Sequence, residues 1–285
     1  LCEAYGSFFG VTVQNEVIEA PAALALGLRM LSVREKERGA VLGYVVLDLF
    51  SRESKHSHPR HWQVTAPQRS VDGSSGVAVG VVLLNMQRAA DQAPVVISHS
   101  EVASLCHELG HAMHGVLSST SFALTSGLDR VEIDFVELPS QLCERLFSDQ
   151  AILEGLCVPA FEHAVKGTDK VEPEELSTLR DTLYRFWRAF DLIDRVILAS
   201  MSLECYTDHF HGDTTALWRE LHALYQPFIA GVPWDSHAFF HHIATYYGPA
   251  CYSYLWSEIF SRECIERIQQ QGGVRNTDIG AKFVR

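Results

Sequence analysis

Residues 107–111 read His-Glu-Leu-Gly-His, and the side chains of this segment converge only if its backbone is helical. Residues four apart in an α-helix lie on one face, so His107 and His111 would present their imidazoles to one point. Glu108 lies about 100° around the helix axis from His107. The surrounding apolar residues recur at helical spacing, which predicts a helix over 101–118 with a buried face made of Val102, Leu105, Leu109, Met113 and Val116.

Two imidazoles at this spacing suit one zinc ion, and Glu108 would reach a water on that metal without being a ligand. Zinc lowers the pKa of such a water from about 15.7 toward about 7, so an adjacent carboxylate can take its proton as the water attacks a carbonyl. The alternative is a helix that carries two histidines by chance, and chance matches are expected at about 0.05 per chain of this length. We therefore predict one zinc ion per chain, bound by His107 and His111, with Glu108 as the general base.

A catalytic zinc site needs a third protein ligand. The metzincin pattern would place Gly at 114 and His at 117, whereas this chain has His114 and Leu117, which excludes that class. A carboxylate on a later helix is then favoured. Glu137 lies 26 residues after His111, far enough for the chain to turn and return as a second helix. We predict Glu137 as the third ligand.

Other assignments in this region stay open. Asp134 as an N-cap with Glu137 at the third helical position would form a capping box, which needs no metal. Glu132 and Glu144 are weaker ligand candidates. His114 is expected to pack in the core or to support a ligand.

The remaining periodicities predict a mainly α fold with a small β-sheet. Residues 41–50 and 77–86 are β-branched apolar runs typical of strands, and 62–64 is a possible third strand. Neither end of the chain carries a targeting or helix-ending pattern, and we expect one domain over 1–285 that is cut at both ends. Helical spacing predicts helices over 101–118, 136–155, 173–206, 214–227 and 251–270.

Charge and cysteine usage exclude several classes of protein. The net charge is −12 and no basic stripe offsets it, so nucleic acid is not an expected partner. No apolar run reaches the roughly 18 residues that a membrane span requires. An odd number of cysteines, never paired as C-x-x-C, indicates buried thiols and an intracellular location: Cys2, Cys106, Cys143, Cys157, Cys205, Cys251 and Cys264.

The segment HELGHAMHG, followed by DFVELPSQ, resembles the family of thimet oligopeptidase and mitochondrial intermediate peptidase, which shares an HExGHxxH helix and an F-x-E-x-P-S segment. Residues 43–58 and 239–260, which include YSYLWSE, are similar to two further segments of that family. The resemblance implies a zincin-type metallopeptidase catalytic domain. It assigns zinc to His107, His111 and Glu137, with Glu108 as the base.

The same resemblance implies that His242, Tyr247 and Tyr254 face the scissile carbonyl and stabilise the oxyanion. The expected activity is that of a zinc metalloendopeptidase, in which Glu108 activates a zinc-bound water to cleave oligopeptides or unfolded N-terminal segments. Residues 42–44 (LGY) and the HAMHG segment lean toward mitochondrial intermediate peptidase, and hence toward the mitochondrial matrix. A cytoplasmic oligopeptidase is the nearest alternative. Peptides are the expected partners, and the oligomeric state stays open.

Two alternatives from other classes remain: a zinc-binding but catalytically silent interaction module, and a zinc hydrolase of non-peptide amides. The loop 126–128 reads Ser-Gly-Leu where family members commonly have Ser/Thr-Gly-Thr. The resemblance therefore does not decide whether this loop contacts the substrate. Strand 77–86 is expected to bind the substrate backbone by strand addition. A turn with three histidines offers either a second metal site or, as we favour, a solvated loop: His56, His58 and His61.

Overall fold

The computed structural model describes residues 1–70, 74–88, 97–118, 122–147, 173–228 and 240–283, together with the single positions 120 and 152. The chain divides into two compact units. The first unit comprises residues 1–132, 138–164 and 260–285, and the second comprises 133–137 and 165–259. The prediction of a single catalytic domain over 1–285 stays a prediction.

Helices make up most of the regular structure, as predicted, and a small sheet accompanies them. The helices are α1 (Cys2–Phe9), α2 (Pro21–Leu26), α3 (His99–Leu117), α4 (Leu138–Leu146), α5 (Pro173–Cys205), α6 (Thr214–Tyr225), α7 (Ser253–Gln270) and α8 (Thr277–Gly280). The strands are β1 (Val11–Glu16), β2 (Arg29–Glu35), β3 (Val41–Phe50), β4 (Arg60–Thr65), β5 (Gln68–Arg69), β6 (Ser75–Gly76) and β7 (Ala78–Met86).

The main sheet of the first unit has five strands in the order β1-β2-β3-β7-β4. Its pairings are antiparallel except for β3 with β7, which run parallel. Alternate residues of β7 are buried, beginning at Ala78, because successive side chains of a strand point to opposite faces. Helix α3 lies against β7 and β3 on the buried face. A Cβ at Gly43 would lie 2.7 Å from Val116 of α3, so glycine permits this close approach.

Helix α3 confirms the helix predicted over 101–118. It begins with a capping box in which the Ser98 hydroxyl accepts from the Glu101 backbone N–H and the Glu101 carboxylate accepts from the Ser98 backbone N–H. Its predicted apolar stripe is buried within the main core. Helix α1 packs on the same core, where the Tyr5 ring stacks on Phe147 at 3.8 Å between centroids and the Tyr5 hydroxyl donates to the Cys106 carbonyl at 2.9 Å.

The second unit is built on α5 and α6, which pack through a small cluster formed by Ile197, Met201 and Trp218. Two hydrogen bonds attach the segment 240–252, which comes after α6 in the chain, to the C-terminal end of α5. The Ser202 hydroxyl donates to the Gly248 carbonyl, and the Tyr206 hydroxyl donates to the Ile243 carbonyl, each at 2.6 Å. Short 3₁₀ turns cover 241–244 and 248–252 in that segment.

Two structural expectations need correction. Strand β7 is paired on both sides, by β3 and β4, so its backbone is not open for strand addition. The helix predicted over 136–155 begins two residues later, at Leu138, and its described part ends at Leu146. Positions 148–151 and 153–155 lie outside the described residues.

The cysteine prediction holds in part. Cys106, Cys143 and Cys251 are buried free thiols, and three further free thiols are half-buried. Cys157 lies outside the described residues. Among the described helices, none is long and apolar enough to cross a membrane.

Candidate metal centre

Three side chains of the described residues form a group that can hold a metal ion: His107, His111 and Glu137. One ligand atom from each lies within 4.8 Å of the others. His111 is buried, and Glu137 is 4% exposed. Two imidazole nitrogens and one carboxylate oxygen in such a setting are a donor set that catalytic zinc sites use. The three residues therefore fit a zinc ion.

Glu137 reaches this position because it directly precedes α4, and α4 crosses α3 at very short range. A Cβ added at Gly110 would lie 2.6 Å from the Ser140 Cα and 2.9 Å from the Pro139 carbonyl oxygen. Glycine in the middle of the histidine motif therefore lets the two helix backbones meet. The capping-box alternative fails because Glu137 comes before the first residue of the helix rather than at its third position.

Glu144 contacts a predicted ligand instead of joining the ligand group. Its Oε2 accepts a hydrogen bond from His107 Nδ1 at 3.0 Å. Metal-binding histidines commonly donate their second ring N–H to a carboxylate, which orients the ring and leaves the other nitrogen for the metal. Neither Glu144 nor Glu132, the two weaker ligand candidates, belongs to the group that can hold a metal among the described residues.

Glu108 is 7% exposed, and it lies on α3 directly after His107. The sequence reasoning gave this carboxylate the role of general base because it follows the first histidine without sharing its face. That role stays a prediction.

The three histidines of the 55–61 segment separate in the structure. His56 and His58 are exposed, and the His56 ring accepts from the His58 backbone N–H at 3.3 Å. His61 instead lies on β4, with its ring stacked against His111 at 6.3 Å between centroids. Among the described residues, the three belong to no group that could hold a metal. The solvated-loop interpretation fits the exposed His56 and His58, but it is wrong for His61, which lies on a strand and is partly buried.

Burial keeps two histidines beside the candidate ligands neutral. Desolvation, with smaller contributions from His111 and His114, lowers the pKa of His61 to about 3. Desolvation and the nearby His111 lower the pKa of His114 to about 4. Both rings are uncharged at neutral pH. His114 is partly buried on α3, and its role in the core or in support of a ligand stays a prediction.

In the second unit, the three residues expected to face the substrate form one aromatic group. The rings of Tyr247 and Tyr254 stack at 4.9 Å between centroids, and the His242 ring lies 5.5 Å from Tyr247 and 6.4 Å from Tyr254. The Tyr247 hydroxyl donates to the Glu137 carboxylate. Burial, together with the negative charge of Glu137, raises the pKa of Tyr247 well above its usual value, so the phenol stays protonated.

Sequence reasoning missed two contacts near the site. Glu144 follows Glu137 by seven residues, a helical spacing that could have drawn attention to it as a partner for a histidine. The second is Gln63 of β4, whose Oε1 accepts from the Leu128 backbone N–H at 3.0 Å. A Cβ at Gly127 would lie 2.2 Å from that oxygen, so this contact requires the glycine of the Ser-Gly-Leu loop. No sequence pattern links Gln63 to that loop.

Comparison with known proteins finds relatives that are named as peptidases. The chain is 29% identical over 251 residues to the thimet-like oligopeptidase of Dictyostelium discoideum, covering 85% of this chain and 36% of that protein. It is 28% identical over 253 residues to oligopeptidase A of Escherichia coli, covering 87% of this chain and 36% of that protein. It is 27% identical over 252 residues to human mitochondrial intermediate peptidase, covering 84% of this chain and 34% of that protein.

The chain thus spans about a third of the length of the curated relatives it matches. The model of the peptidase family M3 matches residues 1–285, the whole of the sequence. The chain belongs to peptidase family M3.

Proposed function

We propose that the chain forms the catalytic part of a zinc metalloendopeptidase of the zincin type, which hydrolyses peptide bonds in oligopeptides or unfolded N-terminal segments. One observation carries the proposal: two histidines and a glutamate come together beside a buried glutamate in a chain of peptidase family M3. A bound zinc ion would lower the pKa of a water and polarise the substrate carbonyl.

Glu108 has the role of general base in this proposal. Its carboxylate accepts a proton from the water that attacks the carbonyl carbon, and it returns a proton to the amine that leaves when the C–N bond breaks. Its low exposure supports this role, because a buried carboxylate exchanges protons with a bound water rather than with bulk solvent.

His242, Tyr247 and Tyr254 are proposed to donate hydrogen bonds to the oxygen that becomes negative in the transition state. The centroids of the three rings lie within 6.4 Å of one another, which supports a shared role. The raised pKa of Tyr247 keeps it a donor at neutral pH. In the structure that donor is used on Glu137, so Tyr247 orients the carboxylate and has to release it before contacting a substrate.

Zinc content and cleavage of an internally quenched nonapeptide test the proposal, on the unchanged chain and on Glu108→Gln. We expect one zinc per chain in both proteins and at least about a 100-fold loss of activity in the variant, since a general base contributes that much or more. Equal activity in both would remove Glu108 from the mechanism. Zinc without activity in either would support a catalytically silent module, and cleavage of non-peptide amides without cleavage of peptides would support the other hydrolase class.

The ligand assignment has a separate test. Glu137→Ala should remove most of the zinc affinity, because it deletes one of three ligands, whereas Glu132→Ala should leave zinc affinity unchanged. Glu132 is exposed and lies outside the ligand group, which makes it a matched control. Equal losses in the two variants would show that another residue is the third ligand.

The location and the natural substrate are proposals as well. The relatives named mitochondrial intermediate peptidase support the mitochondrial matrix and trimming of imported precursors. The bacterial relatives named oligopeptidase A support the cytoplasmic alternative. Localising a tagged protein by cell fractionation separates the two.

A further inference from the structure

Two hydroxyl groups at the C-terminal end of α5 bind the segment that carries Tyr247. The Ser202 hydroxyl donates to the Gly248 carbonyl at 2.6 Å. The Tyr206 hydroxyl, directly after the helix, donates to the Ile243 carbonyl at 2.6 Å. The two carbonyls belong to residues on either side of Tyr247, and all of these residues lie in the second unit.

Ser202 makes the more protected of these contacts, because it is 0% exposed. Its oxygen also accepts from the Cys251 backbone N–H at 3.3 Å, so one side chain binds both a carbonyl and an N–H of the turn 248–252. Gly248 has a φ of +50°, a conformation that residues with a Cβ rarely adopt. Buried backbone groups are costly to leave unpaired, so this turn depends on Ser202 for its conformation.

The position of the Tyr247 hydroxyl depends on the same backbone. The Tyr247 carbonyl accepts from the Ala250 N–H at 2.7 Å, and its hydroxyl donates to the Glu137 carboxylate. The hydroxyl lies at the far end of a long side chain, so a small backbone rotation moves it by about 1 Å, and a misplacement of that size can cost about 100-fold in rate. The flanking carbonyls therefore have to be fixed for this hydroxyl to be placed accurately.

We propose that Ser202 and Tyr206 are positioning residues for Tyr247: they hold its backbone so that its hydroxyl reaches Glu137 and then a substrate oxygen. This inference rests on the proposed function, because the hydrogen bond from Tyr247 to the substrate belongs to it. Ser202 has the larger effect. Tyr206 is 53% exposed, so water can replace its hydroxyl on the Ile243 carbonyl.

A spectroscopic test needs neither zinc nor activity. A fluorotyrosine is incorporated at position 247, and its fluorine NMR resonance is compared among variants of the chain. Ser202→Ala should shift or broaden the resonance, and Tyr206→Phe should do so less. Ser200→Ala is the matched control on the same helix, because the Ser200 hydroxyl has no hydrogen bond to the described segment 240–252, and it should leave the resonance unaltered. An unaltered resonance in Ser202→Ala overturns the inference.

Kinetics test whether the positioning acts through the Tyr247 hydroxyl. Ser202→Ala should lower kcat for the quenched nonapeptide about 10–100-fold and change KM less than about threefold, because the hydroxyl acts in the transition state. In a Tyr247→Phe background the same substitution should lower kcat less than about twofold, since no hydroxyl is left to position. Equal losses in the two backgrounds refute the assignment. Failure of the proposed function is distinguishable: the unchanged chain would not cleave the peptide, while the fluorine resonance would still report whether Ser202 positions Tyr247.

Discussion

Replacing Gly110 with alanine tests whether the crossing of α3 and α4 builds the metal centre. The new methyl group would lie 2.6 Å from the Ser140 Cα, 2.9 Å from the Pro139 oxygen and 3.0 Å from the Cys143 Cβ. Two of these are backbone atoms that cannot rotate away, so the helices have to separate. Glu137 would move with α4, and Glu144 would move away from His107.

The magnitude follows from two opposing terms. Overpacking of this kind costs about 1–3 kcal/mol, and contacts with backbone atoms place Gly110 at the upper end of that range. Alanine in a helix interior recovers about 1 kcal/mol relative to glycine. The net loss in the free energy of unfolding should be about 2 kcal/mol, which corresponds to a melting temperature about 4–8 °C lower in a chain of this size.

Gly115→Ala is a matched control on the same helix. A Cβ there would lie 3.1 Å from the nearest atoms, which are the amide end of the Gln63 side chain, and that end can move by a few tenths of an ångström. Urea unfolding and competitive zinc titration should show Gly110→Ala destabilised and at least about tenfold weaker in zinc binding. Gly115→Ala should have nearly the same free energy of unfolding and the same zinc affinity as the unchanged chain. Equal stability and zinc affinity for the two variants would refute the reasoning.

Four further predictions follow from the first unit. Glu144→Ala should weaken zinc binding about 10–100-fold in a chelator competition, and Glu144→Gln should weaken it less because an amide oxygen still accepts the histidine N–H. Lys55→Met should lower the free energy of unfolding in urea by about 3 kcal/mol, because Lys55 and Asp48 form a buried ion pair. A Lys55→Met protein with the same free energy of unfolding as the unchanged chain would contradict this prediction.

Burial raises the Asp48 pKa, but hydrogen bonds from Arg52 and Lys55 outweigh it and lower the pKa, so the stability that Asp48 contributes should be complete above about pH 4 and fall below it. Finally, burial raises the pKa of Cys106 to about 12, so this thiol should resist a thiol reagent at pH 8 until the protein unfolds.

Much of the fold followed from local patterns, and the omissions have a physical cause. Strands β3 and β7 were predicted because every second residue packs in the core and the sequence there is β-branched. Strands β1 and β2 were missed because they carry charged and polar residues. Those residues satisfy one another across the pair: Glu16 accepts from the Arg34 guanidinium at 2.9 Å and from the Ser32 hydroxyl at 2.5 Å. The pairing of two strands cannot be predicted from the sequence of either strand alone.

The metal centre was also predictable only in part. His107 and His111 were predictable because one helix sets their geometry, and local spacing encodes it. Glu137 was reached from the motif and the resemblance, although the predicted helix start was two residues too early. The partner role of Glu144 could not be predicted from spacing alone, since it depends on the distance between two helices, which only their packing sets.

The sequence by itself determined the helical histidine motif, the mainly α class with a small sheet and the membership in peptidase family M3, because each is written in short-range patterns. Only the tertiary structure decided that α4 crosses α3 at Gly110, that Glu144 orients His107, and that β4 rather than β7 ends the sheet. These depend on contacts between residues far apart in the chain. Their geometry is set by backbone packing, which no single segment specifies.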